Sequence, residues 1–173
     1  RILGLPYPGG PEVSKLALQH DKSMNTSIEL PRPMIHSKDY DFSFSGLKTA
    51  VLYTVRDIKL ANSDNIPEHL KSEIAYEFQE AAVEVITKKT CNAIRDFGVQ
   101  TLIVGGGVSA NNRIKELLKE KASEIIEPNQ IHFPARELTG DNALMIGLAG
   151  YFKYKKNPDS NYQDFKAEGN LSF

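Results

Sequence analysis

The chain has 173 residues, of which 40% are hydrophobic and 25% are charged, and its formal net charge is −1. This balance is typical of one globular domain or one lobe of a larger protein. The net charge excludes an overall positive potential that would attract nucleic acid to the whole protein. The single cysteine, Cys91, excludes an internal disulfide framework and favours a reducing compartment. No run is apolar and long enough for a membrane span, so we expect a cytoplasmic protein.

The first forty residues are predicted to consist mainly of loops. Prolines and glycines in residues 1–11 indicate a structured turn. A short helix is predicted over residues 12–19. Residues 20–40 are polar and irregular, and the two prolines that flank Arg32 favour an extended backbone there.

A strand and a helix are predicted next. Phe42 and Phe44 alternate with serines, which is typical of a half-buried strand. After Gly46, apolar residues recur at helical spacing, and Ser45 is a suitable N-cap for the helix that this spacing predicts.

The second half of the chain has the pattern of an α/β fold. A long amphipathic helix is predicted over residues 68–97, with Gly98 as its C-cap. Residues 99–104 predict a strand that is buried on both faces. A glycine loop, a helix over residues 111–122, a short strand at residues 131–133 and a helix over residues 143–154 follow. In α/β sheets, ligands bind where strands lead into helices.

The glycine loop spans residues 104–111 and is the clearest candidate site. Three consecutive glycines let a ligand approach the backbone, and Ser109 and Asn111 could contact a ribose or a base. A tight turn with Ser109 or Asn111 as the helix N-cap explains the same spacing equally well. The loop is not a Walker A loop, because no Gly-Lys-Ser/Thr follows it. Gly9-Gly10, between two prolines, is a second rigid backbone surface, although a structural turn explains it more simply.

Charged side chains give weaker candidates. Asp141 precedes the last helix, where it could be an N-cap or a metal ligand, but one carboxylate does not hold a metal alone. Lys48 lies at a helix start and could bind phosphate or an RNA backbone, or could be solvated. Arg32 is a further candidate for contact with an RNA backbone. The histidines have no metal-binding spacing; they are His20, His36, His69 and His132.

Six short segments occur in one order along the chain, at residues 5–12, 31–34, 42–49, 78–81, 106–111 and 139–143. Together they resemble the bacterial TsaD family, also called Gcp, over about residues 1–155, with residues 156–173 as a polar tail. The resemblance implies an actin-like ATPase (RNase H-like) fold, of which this chain would be mainly the second of two lobes. The implied activity is transfer of a threonylcarbamoyl group from its AMP adduct to N6 of adenosine 37 in tRNA.

The resemblance also implies site residues and partners. Gly10, Asn111 and the loop glycines Gly106 and Gly107 would bind the adenylate. Ser14 lies where many members carry a nucleotide-binding carboxylate. Asp141 would be a ligand of iron or zinc, and no catalytic residue is assigned. The implied partners are tRNA and proteins similar to TsaB and TsaE.

The paired histidines of the family have no counterpart here, and the chain begins with Arg1 rather than Met. We therefore expect a C-terminal fragment that is inactive alone and holds little metal. Two alternatives remain open, namely a lobe of an actin-like sugar or acetate kinase and a non-catalytic scaffold paralogue. The family has also been labelled a peptidase, but this chain contains no protease motif.

Overall fold

The structure is a computed structural model that describes residues 1–158 except residues 22, 24 and 25. The predicted polar tail falls almost wholly outside the described residues. Within them the order of regular elements is α1 (Gly9–Ala17), α2 (Ser45–Ala61), α3 (Glu68–Phe97), β1 (Leu102–Ile103), α4 (Asn112–Ala122), β2 (Ile131–His132) and α5 (Ala143–Lys156). The two strands pair in parallel, with Leu102 opposite Ile131.

Helix α3 is the central element. Its 30 residues give a length of about 45 Å, and α1, α2 and α4 pack against it. Among the described residues, its apolar side chains contribute to four separate buried clusters rather than to one core. The buried members are Leu30, Leu47, Val51, Val55, Ile66, Ile74 and Ala81 around α2; Leu16, Ala17 and Ala75 with α1; Val83, Ile114 and Leu118 with α4; and Ile94, Ala122 and Ile131 beside the sheet.

The predicted helix over residues 68–97 is confirmed with both ends correct, because its end signals are local. Pro67 precedes the first residue, and Gly98 follows the last with φ of 61°, in the left-handed region. The apolar stripe of α3 then supplies the packing that a helix needs for stability.

We expect Gly98→Ala to lower the free energy of unfolding by about 1 kcal/mol, because alanine in the left-handed region is strained although nothing lies within 4 Å of its Cβ position. Urea denaturation would measure the change. Gly147, which lies inside α5 and has equal space, is the matched control. There the same substitution should cost nothing, because alanine is favoured inside helices.

Several predicted boundaries are wrong. Helix α1 begins at Gly9 rather than at residue 12, so Gly9 and Gly10 form its first turn instead of a loop. Residues 42–44 are not a strand, because no described segment pairs with them, and the rings of Phe42 and Phe44 stack on each other in partial exposure. Phe44 rather than Ser45 occupies the N-cap position of α2.

The predicted α/β class is confirmed in part, since a helix joins two parallel strands. The described chain is mainly helical, and its α/β character is limited to two strands of two residues each. The strand predicted at residues 99–104 is reduced to Leu102–Ile103, and Ile103 is 78% exposed rather than buried. A sheet of this size cannot cover both faces of a strand.

Residues 26–40 form no helix or strand, and polar side chains of α3 fix the position of this segment instead. Glu73 accepts hydrogen bonds from the backbone N–H groups of Ser27 and Ile28, the latter at 2.9 Å. Glu77 accepts from the N–H of Leu30 at 3.1 Å. Both carboxylates are buried, so these bonds satisfy the buried charge and the loop amides together.

Lys89 binds the far end of the same segment. Its side chain is 2% exposed, and Nζ donates to Ser37 Oγ at 2.7 Å, to the Asp39 carbonyl at 3.0 Å and to Asp39 Oδ1 at 3.1 Å. All three hydrogens of the ammonium group are therefore used. The hydrogen bond from Lys89 is the largest cause of a lowered pKa of the Asp39 carboxyl, followed by the bond from Ser37.

This contact predicts a contribution to acid sensitivity. Because the folded pKa of Asp39 lies below the unfolded value of about 3.9, its stabilising effect is present above that value and is lost as the pH falls through the folded pKa. We expect Asp39→Asn to be less stable than the wild type at pH 7 and to lose less of its stability below about pH 4. Urea denaturation series at several pH values would measure this. Equal loss in both proteins would contradict it.

Candidate nucleotide site

Three side chains from distant parts of the chain meet between α1, α3 and the start of α4. Ser14 lies on α1, Gln79 lies in the middle of α3, and Asn111 directly precedes α4. Asn111 Nδ2 donates to Ser14 Oγ at 3.1 Å and to Gln79 Oε1 at 3.3 Å. Ser14 Oγ donates to Gln79 Oε1 at 3.0 Å. All three residues are half-buried, so this polar cluster reaches the surface.

The glycine loop delivers Asn111 to this cluster. Gly106 has φ of 81°, which an L side chain rarely adopts, and Gly107–Ala110 form one turn of 3₁₀ helix. Ser109 is buried, and its Oγ donates to the carbonyl of Gly106 at 2.6 Å, which fixes the turn. No atom lies within 4 Å of a Cβ built on Gly105, Gly106 or Gly107, so the backbone of the loop is open to approach.

Asn111 is the N-cap of α4. Its Oδ1 accepts from the backbone N–H of Ile114 at 3.1 Å, which confirms one of the two interpretations of the loop, a turn with Asn111 as cap. Ser109 was the other candidate cap, and it bonds within the turn instead. The interpretation as a ligand loop stays a prediction, and the cap does not oppose it because the rest of the amide faces the cluster.

Gly10 lies one helical turn before Ser14 on α1, so the two positions share a face of the helix. The helix begins at Gly9 after Pro8, and no side chain caps its first amides. Nothing lies within 4 Å of a Cβ position on Gly10. The N–H groups in the first turn of α1, where Pro11 contributes none, therefore have no side-chain cap and lie on the same helix as Ser14.

An ion pair lies beside the cluster. Arg113, two residues after Asn111, donates from Nε and Nη2 to the two oxygens of the Glu80 carboxylate, each at 2.7 Å. Glu80 is buried and follows Gln79 on α3, and its hydrogen bond raises the pKa of Arg113. This two-point contact joins α3 to α4 and fixes the spacing between Gln79 and Asn111.

Other predicted residues lie apart from this cluster. Arg32 donates to Glu77 and Glu84 and to the carbonyl of Leu30, so these contacts account for it without nucleic acid. Lys48 is exposed near the start of α2. Cys91 is buried, as expected for an inert thiol, and burial raises its pKa.

Asp141 is exposed just before α5 and is not the N-cap of that helix. Asn142 is the cap, since its Oδ1 accepts from the N–H of Met145 at 3.0 Å. In the part of the chain that the structure describes, no group of three or more histidine, cysteine, aspartate or glutamate side chains could hold a metal ion. The described residues therefore do not form a complete metal site around Asp141.

Sequence reasoning missed Gln79, Glu80 and Arg113. The helical pattern places Gln79 and Glu80 on α3, but it says nothing about partners 32 to 65 positions away. The available signal was the segment at residues 78–81, which contributed to the family resemblance without a role for its side chains.

Comparison with known proteins gives the family. A family model described as "TsaD: tRNA N6-adenosine threonylcarbamoyltransferase" matches residues 1–148. The chain belongs to the TsaD family. Relatives named tRNA N6-adenosine threonylcarbamoyltransferase include those of Thermosipho africanus (47% identical over 93% of this chain) and Methylobacillus flagellatus (45% identical over 94%).

These TsaD relatives are longer than this chain. The match covers 46% of the Thermosipho africanus protein and 45% of the Methylobacillus flagellatus protein, so the chain spans about half the length of each. Among the helices of the described residues, none combines the length and the apolar character that crossing a membrane requires.

Proposed function

We propose that this chain acts as the C-terminal part of an enzyme that transfers threonylcarbamoyl from threonylcarbamoyl-AMP to N6 of adenosine 37 in tRNA. Gly10, Ser14, Asn111 and the loop of residues 105–107 form one wall of its adenylate site. The observation that carries this proposal is the hydrogen-bond contact between Ser14 and Asn111, which are 97 positions apart. The family resemblance assigned both to the nucleotide from sequence alone.

The chemistry of this wall suits a nucleotide. The glycine loop and the first turn of α1 offer backbone N–H groups without side chains in front of them, as phosphate binding requires. The cluster of Ser14, Gln79 and Asn111 offers hydroxyl and amide groups that can bind ribose hydroxyls. In the proposed actin-like enzyme of two lobes, the chain is mainly the second lobe, and the part that its longer relatives have in addition supplies the opposite wall.

The metal and the partners are part of the same proposal. Asp141 is one ligand of an iron or zinc ion, and the remaining ligands come from the other half of the enzyme, because one carboxylate is too few. The tRNA and proteins similar to TsaB and TsaE are the partners. The exposed Lys48 is a candidate contact for the tRNA backbone.

The proposal is tested with the full-length enzyme, meaning this segment joined to the other half that its relatives carry. It is supplied with threonylcarbamoyl-AMP, an unmodified tRNA transcript and proteins similar to TsaB and TsaE, and modified adenosine is measured by mass spectrometry after digestion. We expect one modified nucleoside per tRNA, and none with the 173-residue chain alone. Phosphorylation of a sugar or acetate, without tRNA modification, would instead support the kinase alternative.

We expect the isolated chain to contain far less than one iron or zinc per molecule, and EDTA to leave its melting temperature unchanged. The physical reason is that the described residues provide too few ligands around Asp141. Metal content by elemental analysis and thermal unfolding with and without EDTA would measure this. Stoichiometric metal that Asp141→Asn does not remove would contradict the assignment of Asp141.

A further inference from the structure

The backbone N–H of Ile114 determines which atoms of Asn111 and Gln79 are oxygen and which are nitrogen in the Ser14, Gln79 and Asn111 cluster. The N–H of Ile114 can only donate, so the atom of Asn111 that faces it at 3.1 Å must be the oxygen Oδ1. Asn111 Nδ2 therefore faces Ser14 and Gln79. Because Nδ2 can only donate, the atom of Gln79 that faces it must be Oε1.

The hydrogen bonds within the cluster can then be counted. Both hydrogens of Asn111 Nδ2 are used, one by Ser14 Oγ and one by Gln79 Oε1. The hydroxyl hydrogen of Ser14 also goes to Gln79 Oε1. One oxygen of Gln79 thus accepts from both partners, while within the described residues its Nε2 donates to no protein group.

We propose that Gln79 is a positioning residue of the adenylate site, which orients Asn111 and Ser14 toward the nucleotide through its Oε1. This inference rests on the proposed function of the site. Without Gln79, the Asn111 amide would keep only its cap and the bond to Ser14, and the Ser14 hydroxyl would lose its acceptor. The Ser14 hydroxyl would then rotate among several orientations, and the Asn111 amide would be held less tightly, by its cap and Ser14 alone. Binding a nucleotide would have to restrict both groups again.

The backbone around Gln79 makes it suitable for this role. Phe78 packs on the cluster between α2 and α3, and Glu80 forms the ion pair with Arg113. Gln79 lies between these two contacts on a helix that is fixed on both sides. Its amide therefore provides a rigid reference position for α1 and for the glycine loop.

The test uses Gln79→Met, which keeps the length and helix preference of the side chain but forms no hydrogen bonds of this kind. Gln79→Glu keeps acceptors for Asn111 and Ser14 and loses only the donor. Gln100→Met is the matched control, since Gln100 is exposed and lies before β1. Two properties are measured, namely the ¹H–¹⁵N signals of the Asn111 side-chain amide without ligand, and the Kd of the full-length enzyme for adenosine and AMP.

We expect Gln79→Met to shift and broaden the Asn111 amide signals. The Kd for adenosine should rise about 10-fold, because poorly oriented Ser14 and Asn111 weaken one or two of their own hydrogen bonds to the nucleoside. Gln79→Glu should keep the Asn111 amide signals of the wild type, and its Kd for adenosine should rise less than that of Gln79→Met. Adenosine is included because it carries no phosphate for the new carboxylate to repel. The control should match the wild type in both measurements.

The outcomes separate this inference from the proposed function. Unchanged Asn111 signals in Gln79→Met would overturn the role of Gln79, and so would changed signals with an unchanged Kd. Equal loss of affinity in Gln79→Glu and Gln79→Met would also overturn positioning through Oε1. If the wild-type enzyme binds neither adenosine nor AMP, the nucleotide site itself is overturned.

Discussion

In the full-length enzyme, Asn111→Ala is expected to raise the Kd for AMP about 10- to 100-fold. The substitution removes the side chain that is proposed to contact the nucleotide, and it also removes the hydrogen bonds that hold Ser14 and Gln79 in place. Loss of one or two contacts to the nucleotide, each about 0.5 to 1.5 kcal/mol, gives this range, because about 1.4 kcal/mol corresponds to a tenfold change in affinity. The loss of the cap should also lower the free energy of unfolding by about 1 kcal/mol. Titration calorimetry and urea denaturation would measure the two effects.

Two further variants separate binding from stability. Asn111→Asp keeps an oxygen for the cap but loses the Nδ2 donor, so its free energy of unfolding should stay close to that of the wild type while its affinity falls. Its Kd is measured with adenosine, which has no phosphate for the new carboxylate to repel. Asn112→Ala changes the exposed neighbour on the first turn of α4 and should leave the Kd unchanged. Wild-type affinity in both Asn111 variants would remove Asn111 from the nucleotide site.

Replacement of Arg32 by methionine is expected to lower the free energy of unfolding by about 2 to 3 kcal/mol. The guanidinium donates to Glu77 and Glu84, and these hydrogen bonds raise the pKa of Arg32, with its bond to Glu84 as the largest cause. The Glu77 side chain is only 8% exposed, so removal of Arg32 leaves a buried carboxylate without its cation, which is strongly destabilising. Urea denaturation of the chain would give the value.

A double substitution tests this explanation. Arg32→Met combined with Glu77→Gln should recover part of the loss, because glutamine carries no charge and can still accept from the N–H of Leu30. Arg56→Met is the matched control, since Arg56 pairs with its exposed neighbour Asp57 and lies over the exposed ring of Tyr53, and its loss should cost less than about 1 kcal/mol. A cost for Arg56→Met as large as that for Arg32→Met would contradict the role of burial.

The parts of the fold that could be predicted are those determined by neighbouring residues. The whole of α3 follows from its apolar stripe and from Gly98, and the start of α4 follows from the capping residue Asn111. The strands could not be predicted in the same way, because a strand exists only where another strand pairs with it. Phe42 and Phe44 have the right alternation and no partner among the described residues.

The position of segment 26–40 could not be predicted either, because buried carboxylates fix it. The usual expectation is that glutamates on an amphipathic helix face water. Glu73 and Glu77 instead face inward and bind backbone amides more than 40 positions earlier. No local pattern distinguishes such a glutamate from an exposed one.

The residues of the candidate site also fall into those that a local sequence signal identifies and those that it does not. Asn111 and Gly10 were identified because their segments resemble those of a family, and Asn111 also has a local role as a helix cap. Gln79 has no local signal, since its two hydrogen-bond partners come from α1 and from the loop before α4. Its importance becomes visible only when the three elements are placed together.

Helix α3 carries the contacts to segment 26–40 at Glu73 and Lys89, and the site contact at Gln79 lies between them. Each added residue rotates a helix by about 100° and lengthens it by about 1.5 Å. One inserted or deleted residue between Glu73 and Lys89 would therefore turn one set of contacts away from its partners. Changes of length in homologous sequences should be found in the loops on either side of α3 and be absent between these two residues.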